Sequence, residues 1–212
     1  MINLSYFKAD GTEVVVYCPE SRNSPATQNP RDTETAPIED IQPNEPAGIT
    51  QNLKPLLREK RIKVLYGDTG YSYETLFKDY LTDASEIILE DSYIRQKHQI
   101  SNLLRLCELL VKMGSFKKIT LITGYDDEQQ KRENEMVFEQ IADSLFEHEI
   151  EFRFEFSSTI HDREMKINNG WNIKMGRGLD YFQSLSGNYY QVGVNDLDLR
   201  PCLETSFDFY RS

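Results

Sequence analysis

A chain of 212 residues with a formal net charge of -11 and 39% apolar residues has the length for one sizeable core plus a polar segment. No run of about 18 apolar residues occurs, which excludes a membrane-spanning helix. Three cysteines, Cys18, Cys107 and Cys202, are odd in number and far apart, which excludes a disulfide framework or a zinc knuckle and leaves reduced thiols.

The start, MINLSYFKADG, has neither a basic n-region nor an apolar h-region, so a cleaved leader is not expected and a cytoplasmic location is. Residues 1–18 contain one strand candidate, TEVVVYC at 12–18, too short to fold alone. Residues 19–52 are rich in Pro, Asn, Thr and acids with almost no large apolar side chains, and they read as a disordered linker. From Ala9 to Thr50 there are eight acids and two bases, so this segment carries -6 of the -11. The expected folded part, residues 53–212, is therefore only mildly acidic, and its charge does not exclude an anionic partner.

From Arg61 the pattern turns α/β. Residues 62–65 read as a strand, 67–70 as a turn, Tyr73–Leu81 as a short helix and 86–90 as a strand. Ser92 or Asp91 can cap a helix to about Met113, with Ile100, Leu103, Leu104, Cys107, Leu110 and Val111 on its buried stripe and Gly114 as its stop. A strand is expected over 117–124. A helix from Asp126 or Asp127 to about His148 follows, with Met136, Val137, Ile141 and Leu145 inward, and then a strand over 149–156. Residues 184–188 read as a loop, and 189–194 and 207–210 as closing strands. Alternating strands and helices predict a mixed β-sheet with helices on both faces.

Between them, residues 157–183 hold His161, the only tryptophan (Trp171) and a local excess of the minority charge. From Arg163 to Arg177 four cations (Arg163, Lys166, Lys174, Arg177) face one anion (Glu164). Alternation over 160–167 and 171–175 around Asn168-Asn169-Gly170 reads as a β-hairpin. A two-residue loop would split the apolar residues between faces. A three-residue loop, with Gly170 left-handed, pairs Ile167 with Trp171 and Met165 with Ile173 and keeps them together, so it is preferred. That register also sets Glu164 opposite Lys174 and His161 opposite Arg177. His161 and Arg163 project together, and such a pair offers an imidazole for attack and a guanidinium fork for phosphate. A hydrogen-bonded histidine at a sheet rim beside solvated arginines is the plain alternative. Tyr93, Arg95 and His98 follow a strand end and can face the same crevice. Trp171, Tyr181 and Phe182 are expected to pack in the interior. Asp180 has Arg177, Arg200 and the turn backbone as candidate partners. No phosphate loop, Ser-His-Asp arrangement or metal-ligand cluster is present, so no cofactor is expected.

HDRE before the hairpin, NNGW in it and GRGLDYF after it, with YETLFKDYL at 73–81, EDSYIRQKHQ at 90–99 and DLDLRPCLET at 196–205, resemble one known domain. This is the C-terminal phospholipase D-like domain of the MIT-domain-containing proteins that work with the ESCRT membrane-scission machinery. The likeness covers roughly 56–210. It implies a phospholipase D-like fold, a homodimer and membrane binding rather than lipase activity. The wider superfamily uses His-x-Lys-x4-Asp; here His161 matches the histidine, Arg163 stands where lysine belongs and Asn168 where aspartate belongs. The first 52 residues do not read as an MIT-type three-helix bundle, so the family's ESCRT partner is not expected of them.

The reading is a binding domain without catalysis. It takes an anionic phospholipid membrane, or another phosphate-bearing ligand, in a basic crevice of Arg95, His98, His161, Arg163, Lys174 and Arg177. Nucleic acid is the second anionic candidate. An active phosphodiesterase with His161 as nucleophile and Arg163 on the phosphate is the rival. Such an enzyme needs two histidine motifs and hence two copies of the chain. A third reading is a scaffold that docks another protein through residues 1–52.

Overall fold

The structure is a computed structural model that describes residues 2–7, 13–18, 57–184 and 190–212. The chain divides into two compact units, 1–51 and 52–212. In the first, β1 (Ile2–Phe7) pairs antiparallel with β2 (Glu13–Cys18). The strand expected at 12–18 therefore has a neighbour that sequence analysis did not assign. The linker expected at 19–52 and the loop at 184–188, apart from Ser184, lie outside the described residues.

The second unit contains β3 (Lys60–Val64), α1 (Tyr73–Leu81), β4 (Glu86–Asp91), α2 (Lys97–Met113), β5 (Lys118–Thr123), α3 (Glu128–Phe146), β6 (Glu151–Phe156), β7 (Arg163–Ile167), β8 (Trp171–Met175) and β9 (Thr205–Arg211). Seven strands form one mixed sheet in the order β3-β9-β8-β7-β4-β5-β6. β4, β5 and β6 are parallel, as helical crossovers require, and the rest are joined antiparallel.

One face of this sheet is apolar across its whole width. Ile87 lies beside Ile119 and Ile167, Leu89 beside Leu121 and Met165, and Ile173 beside Met165 and Phe209. All of these are buried. The three crossovers β3-α1-β4, β4-α2-β5 and β5-α3-β6 step in the same direction along the sheet. Right-handed connections then put all three helices on this face. Helices on both faces, as expected from the sequence, are thus corrected. The opposite face carries a lattice of opposite charges instead: Arg61 with Asp208, Lys166 with Glu90 and Glu164, Lys118 with Glu86, and Arg153 with Glu151. The period-2 strands show this alternation in the sequence itself.

The helices differ from expectation at their ends and in their phase. Gln96, not Ser92 or Asp91, is the N-cap of α2, its N–H donating to Gln99 Oε1 at 2.9 Å, and residues 92–95 form turns. Leu104 and Met136 are exposed rather than inward, because Leu106, Leu109 and Phe138 fill the core-facing stripe. Asp127 caps α3 by accepting the Gln130 N–H. Residues 190–194 form turns, not a closing strand; Arg200 occupies the Gly193 and Val194 carbonyls that a ladder would need.

The hairpin has the three-residue register: Glu164 lies opposite Lys174 and Met165 opposite Ile173, and the Gly170 N–H donates to the Ile167 carbonyl with φ +89 at Gly170. Trp171, Tyr181 and Phe182 are buried. β7 begins only at Arg163, whereas alternation begins at Ile160. Its neighbour β4 ends at Asp91, so residues 160–162 have no strand to pair with there.

Candidate functional site

The site lies where β4 ends and β7 begins. Asp91 and Arg163 are cross-strand partners there. Asp91 is 2% exposed. Its carboxylate accepts the Tyr93 N–H at 3.0 Å and the Leu179 N–H at 3.3 Å. Burial raises its pKa, while those two amides and Arg163 act in the opposite direction. Gly178, with φ +62, passes so close that a Cβ there would stand 1.8 Å from Asp91 Oδ2. The turn after β8 is therefore folded around a buried carboxylate.

That turn delivers Arg177, whose Nε donates to the Glu204 carbonyl at 3.1 Å. Arg163 Nη1 donates to the Gly176 carbonyl at 3.0 Å, and its guanidinium lies over the Tyr93 ring, 4.2 Å from the centroid. Both arginines spend donors on neutral carbonyls, and neither forms an ion pair among the described residues. They line a recess of about 710 Å³ with Arg61, Lys63, Glu204 and Thr205. Arg61 reaches Asp208 at 3.4 Å and Lys63 reaches Glu204 at 3.0 Å. Four cations thus surround an opening whose lining includes one acid. Thr205 Oγ1, on the same lining, is buried and lacks a hydrogen-bond partner among the described residues. Arg61 and Lys63 were not singled out from the sequence. Their signal was the KRIKV composition of an edge strand, but its contact with Gly176 and Arg177 depends on β9 lying between β3 and β8.

Residues 70–211 match the family model of the phospholipase D-like domain at the C-terminus of MIT. The chain belongs to this family. MIT domain-containing protein 1 of Mus musculus is 44% identical over 155 residues, 72% of this chain and 62% of that protein, so the chain spans under two thirds of its relative's length. Among solved structures, phosphatidylserine synthase from Haemophilus influenzae Rd KW20 aligns with 72% of this chain and 34% of its own at 10% identity and a TM-score of 0.40.

In this MIT C-terminal phospholipase D-like domain, the remaining residues singled out from the sequence fall outside the recess. His161 lies exposed in the loop before β7, outside the β7–β8 ladder that would have set it opposite Arg177, and Arg177 Nε donates to the Glu204 carbonyl. Lys174 points to the polar sheet face, where it pairs with Asp162 at 3.6 Å. Arg95 pairs with Asp126 and lies 4.9 Å from the Tyr93 ring centroid, so Tyr93 is contacted by both Arg95 and Arg163. His98 Nε2 lies 3.2 Å from Asp180 Oδ2, and Asn102 donates to Asp180 Oδ1 at 3.1 Å. These two resolve the open question of Asp180's partners: neither is an arginine. Asn168 holds the hairpin to the preceding loop, accepting the Ser85 and Glu86 N–H groups at 3.0 and 3.2 Å. Burial pushes the thiol of Cys107 up to about 12 and that of Cys202 up to about 11, so neither supplies a thiolate.

Proposed function

We propose that this phospholipase D-like domain is a non-catalytic binding module that takes an anionic phospholipid surface on its basic recess and works as a homodimer. The observation that carries this is the convergence of Arg61, Lys63, Arg163 and Arg177 from three separate strand ends around one opening. In a mildly acidic domain, such a cluster is an electrostatic footprint. Arginines whose remaining donors are held apart from carboxylates suit the oxygens of a phosphate. The non-catalytic part rests on the chain's single His-x-Arg copy and on Asn168 being committed to the Ser85–Glu86 backbone. The homodimer rests on the family likeness.

Vesicle sedimentation with the full chain tests the reading, using phosphatidylcholine with and without phosphatidylserine. Each cation near an anionic surface contributes roughly 1 kcal/mol. Replacing Lys63, Arg163 and Arg177 together by Ala should weaken binding by about two orders of magnitude. Equal binding to neutral and anionic vesicles would overturn it. Light scattering that shows only monomer would remove the homodimer from the proposal. Turnover of bis-p-nitrophenyl phosphate that vanishes in His161→Ala would replace the binding module with an enzyme.

A further inference from the structure

The end of the sheet that carries the recess also carries exposed apolar side chains. Leu65 is 52% and Tyr66 71% exposed, directly after the recess strand that holds Lys63. Their loop is clasped to the segment before β9 by backbone hydrogen bonds. The Gly67 N–H donates to the Cys202 carbonyl at 2.8 Å, the Cys202 N–H returns to the Asp68 carbonyl at 2.8 Å, and the Gly70 N–H donates to the Asp198 carbonyl at 2.7 Å. That second segment holds Leu199, which is 51% exposed. Arg200 ties it in turn to the Gly193 and Val194 carbonyls, next to Val192, which is 77% exposed.

Single exposed apolar residues need no explanation. Here four of them, Leu65, Tyr66, Val192 and Leu199, ride on loops fixed to one another by hydrogen bonds, so their exposure is imposed by the backbone. The acids nearby are occupied: Asp68 accepts the Leu65 N–H, Asp198 accepts the Ser72 N–H and the Thr75 hydroxyl, and Glu204 holds Lys63. Apolar and aromatic side chains beside a cationic recess match a bilayer interface, where such residues enter the headgroup–acyl boundary and cations stay with the phosphates.

We propose that the β3–α1 loop and the loop before β9 form a membrane-insertion edge. Leu65 and Tyr66, flanked by Val192 and Leu199, enter the interface, while Arg163 and Arg177 hold anionic headgroups. This rests on the recess being the lipid-facing site. Insertion adds an apolar contribution that salt does not screen, so part of the binding survives at ionic strengths that abolish attraction between exposed charges.

The test uses the full chain with phosphatidylcholine–phosphatidylserine vesicles. Trp171 is buried, so a tryptophan introduced by Tyr66→Trp reports separately on the loop. Its emission should shift to the blue on vesicle binding and be quenched by lipids brominated on their acyl chains. Leu65→Ala/Tyr66→Ala should bind about tenfold more weakly and lose the salt-resistant fraction. Both residues are exposed, and unchanged urea midpoints will show that the variants are folded. Anionic vesicle binding with no quenching, an unaltered double variant and complete release by salt would overturn the insertion edge and leave the recess reading standing. No binding of the unaltered chain to anionic vesicles would overturn both.

Discussion

Replacing Gly178 by Ala should be among the most destabilising single-methyl changes in the domain. Two contributions add. The residue has φ +62, a left-handed conformation that costs an L side chain about 1 kcal/mol. The new Cβ would also stand 1.8 Å from Asp91 Oδ2 and 2.7 Å from its Cγ, and Asp91 is too buried to swing into water. Moving the carboxylate strands the Leu179 N–H in the interior, at about 1–3 kcal/mol for an unsatisfied buried group. The total is about 2–4 kcal/mol. Gly114→Ala is the control: φ there is +71, and a Cβ would meet nothing within 4 Å, so only the conformational cost of about 1 kcal/mol applies. Urea unfolding of both variants separates the two contributions. Equal losses at the two positions would refute the claim that Gly178 is required by contact with Asp91.

Asp91 also makes stability depend on pH. Because burial raises its folded pKa above the unfolded value, the folded state retains a proton that the unfolded chain has released. Ionisation thus lowers stability as pH rises from the ordinary carboxylate range through the raised pKa. Asp91→Asn should lack that slope in urea midpoints measured across the window, and an identical pH profile would count against it. Asn169→Ala should cost about 2 kcal/mol, since its side chain donates to the Tyr80 and Thr82 carbonyls and accepts the Trp171 N–H. Thermal unfolding that shows no change would remove this anchor from the account. Asn168→Asp restores the superfamily's acidic residue but should give no hydrolysis of bis-p-nitrophenyl phosphate. The position is committed to anchoring the hairpin: the Asn168 side chain accepts the Ser85 and Glu86 N–H groups and donates to the Ser85 hydroxyl. His161-dependent turnover in that variant would show the reasoning to be mistaken.

Much of the fold was legible because it rests on local patterns. Alternation marked the strands, and the requirement that Met165, Ile167, Trp171 and Ile173 share a face chose the hairpin register. What was illegible depended on neighbours distant in sequence. Residues 160–162 alternate as well as 163–167 do, but only the latter meet β4. Leu104 and Met136 fit a helical stripe, yet the phase of each helix is set by the sheet it covers. Ionic type alone could not separate Arg163 and Arg177, which share the recess, from Lys174, which the same hairpin sends to the opposite face. Arg61 and Lys63 joined the recess through β9, some 140 residues later in the chain.

That last pairing also sets an order of assembly. Lys60 lies beside Phe209 and Val64 beside Thr205, so the strand that opens the domain is completed by the one that closes it. Closing contacts so far apart in sequence costs more chain entropy than closing local ones. During synthesis β3 must wait for β9 to emerge. A chain cut short before Thr205 lacks β9, so its Arg61 and Lys63 would not be brought to Arg163 and Arg177. The basic recess is therefore complete only once β9 has paired with both β3 and β8.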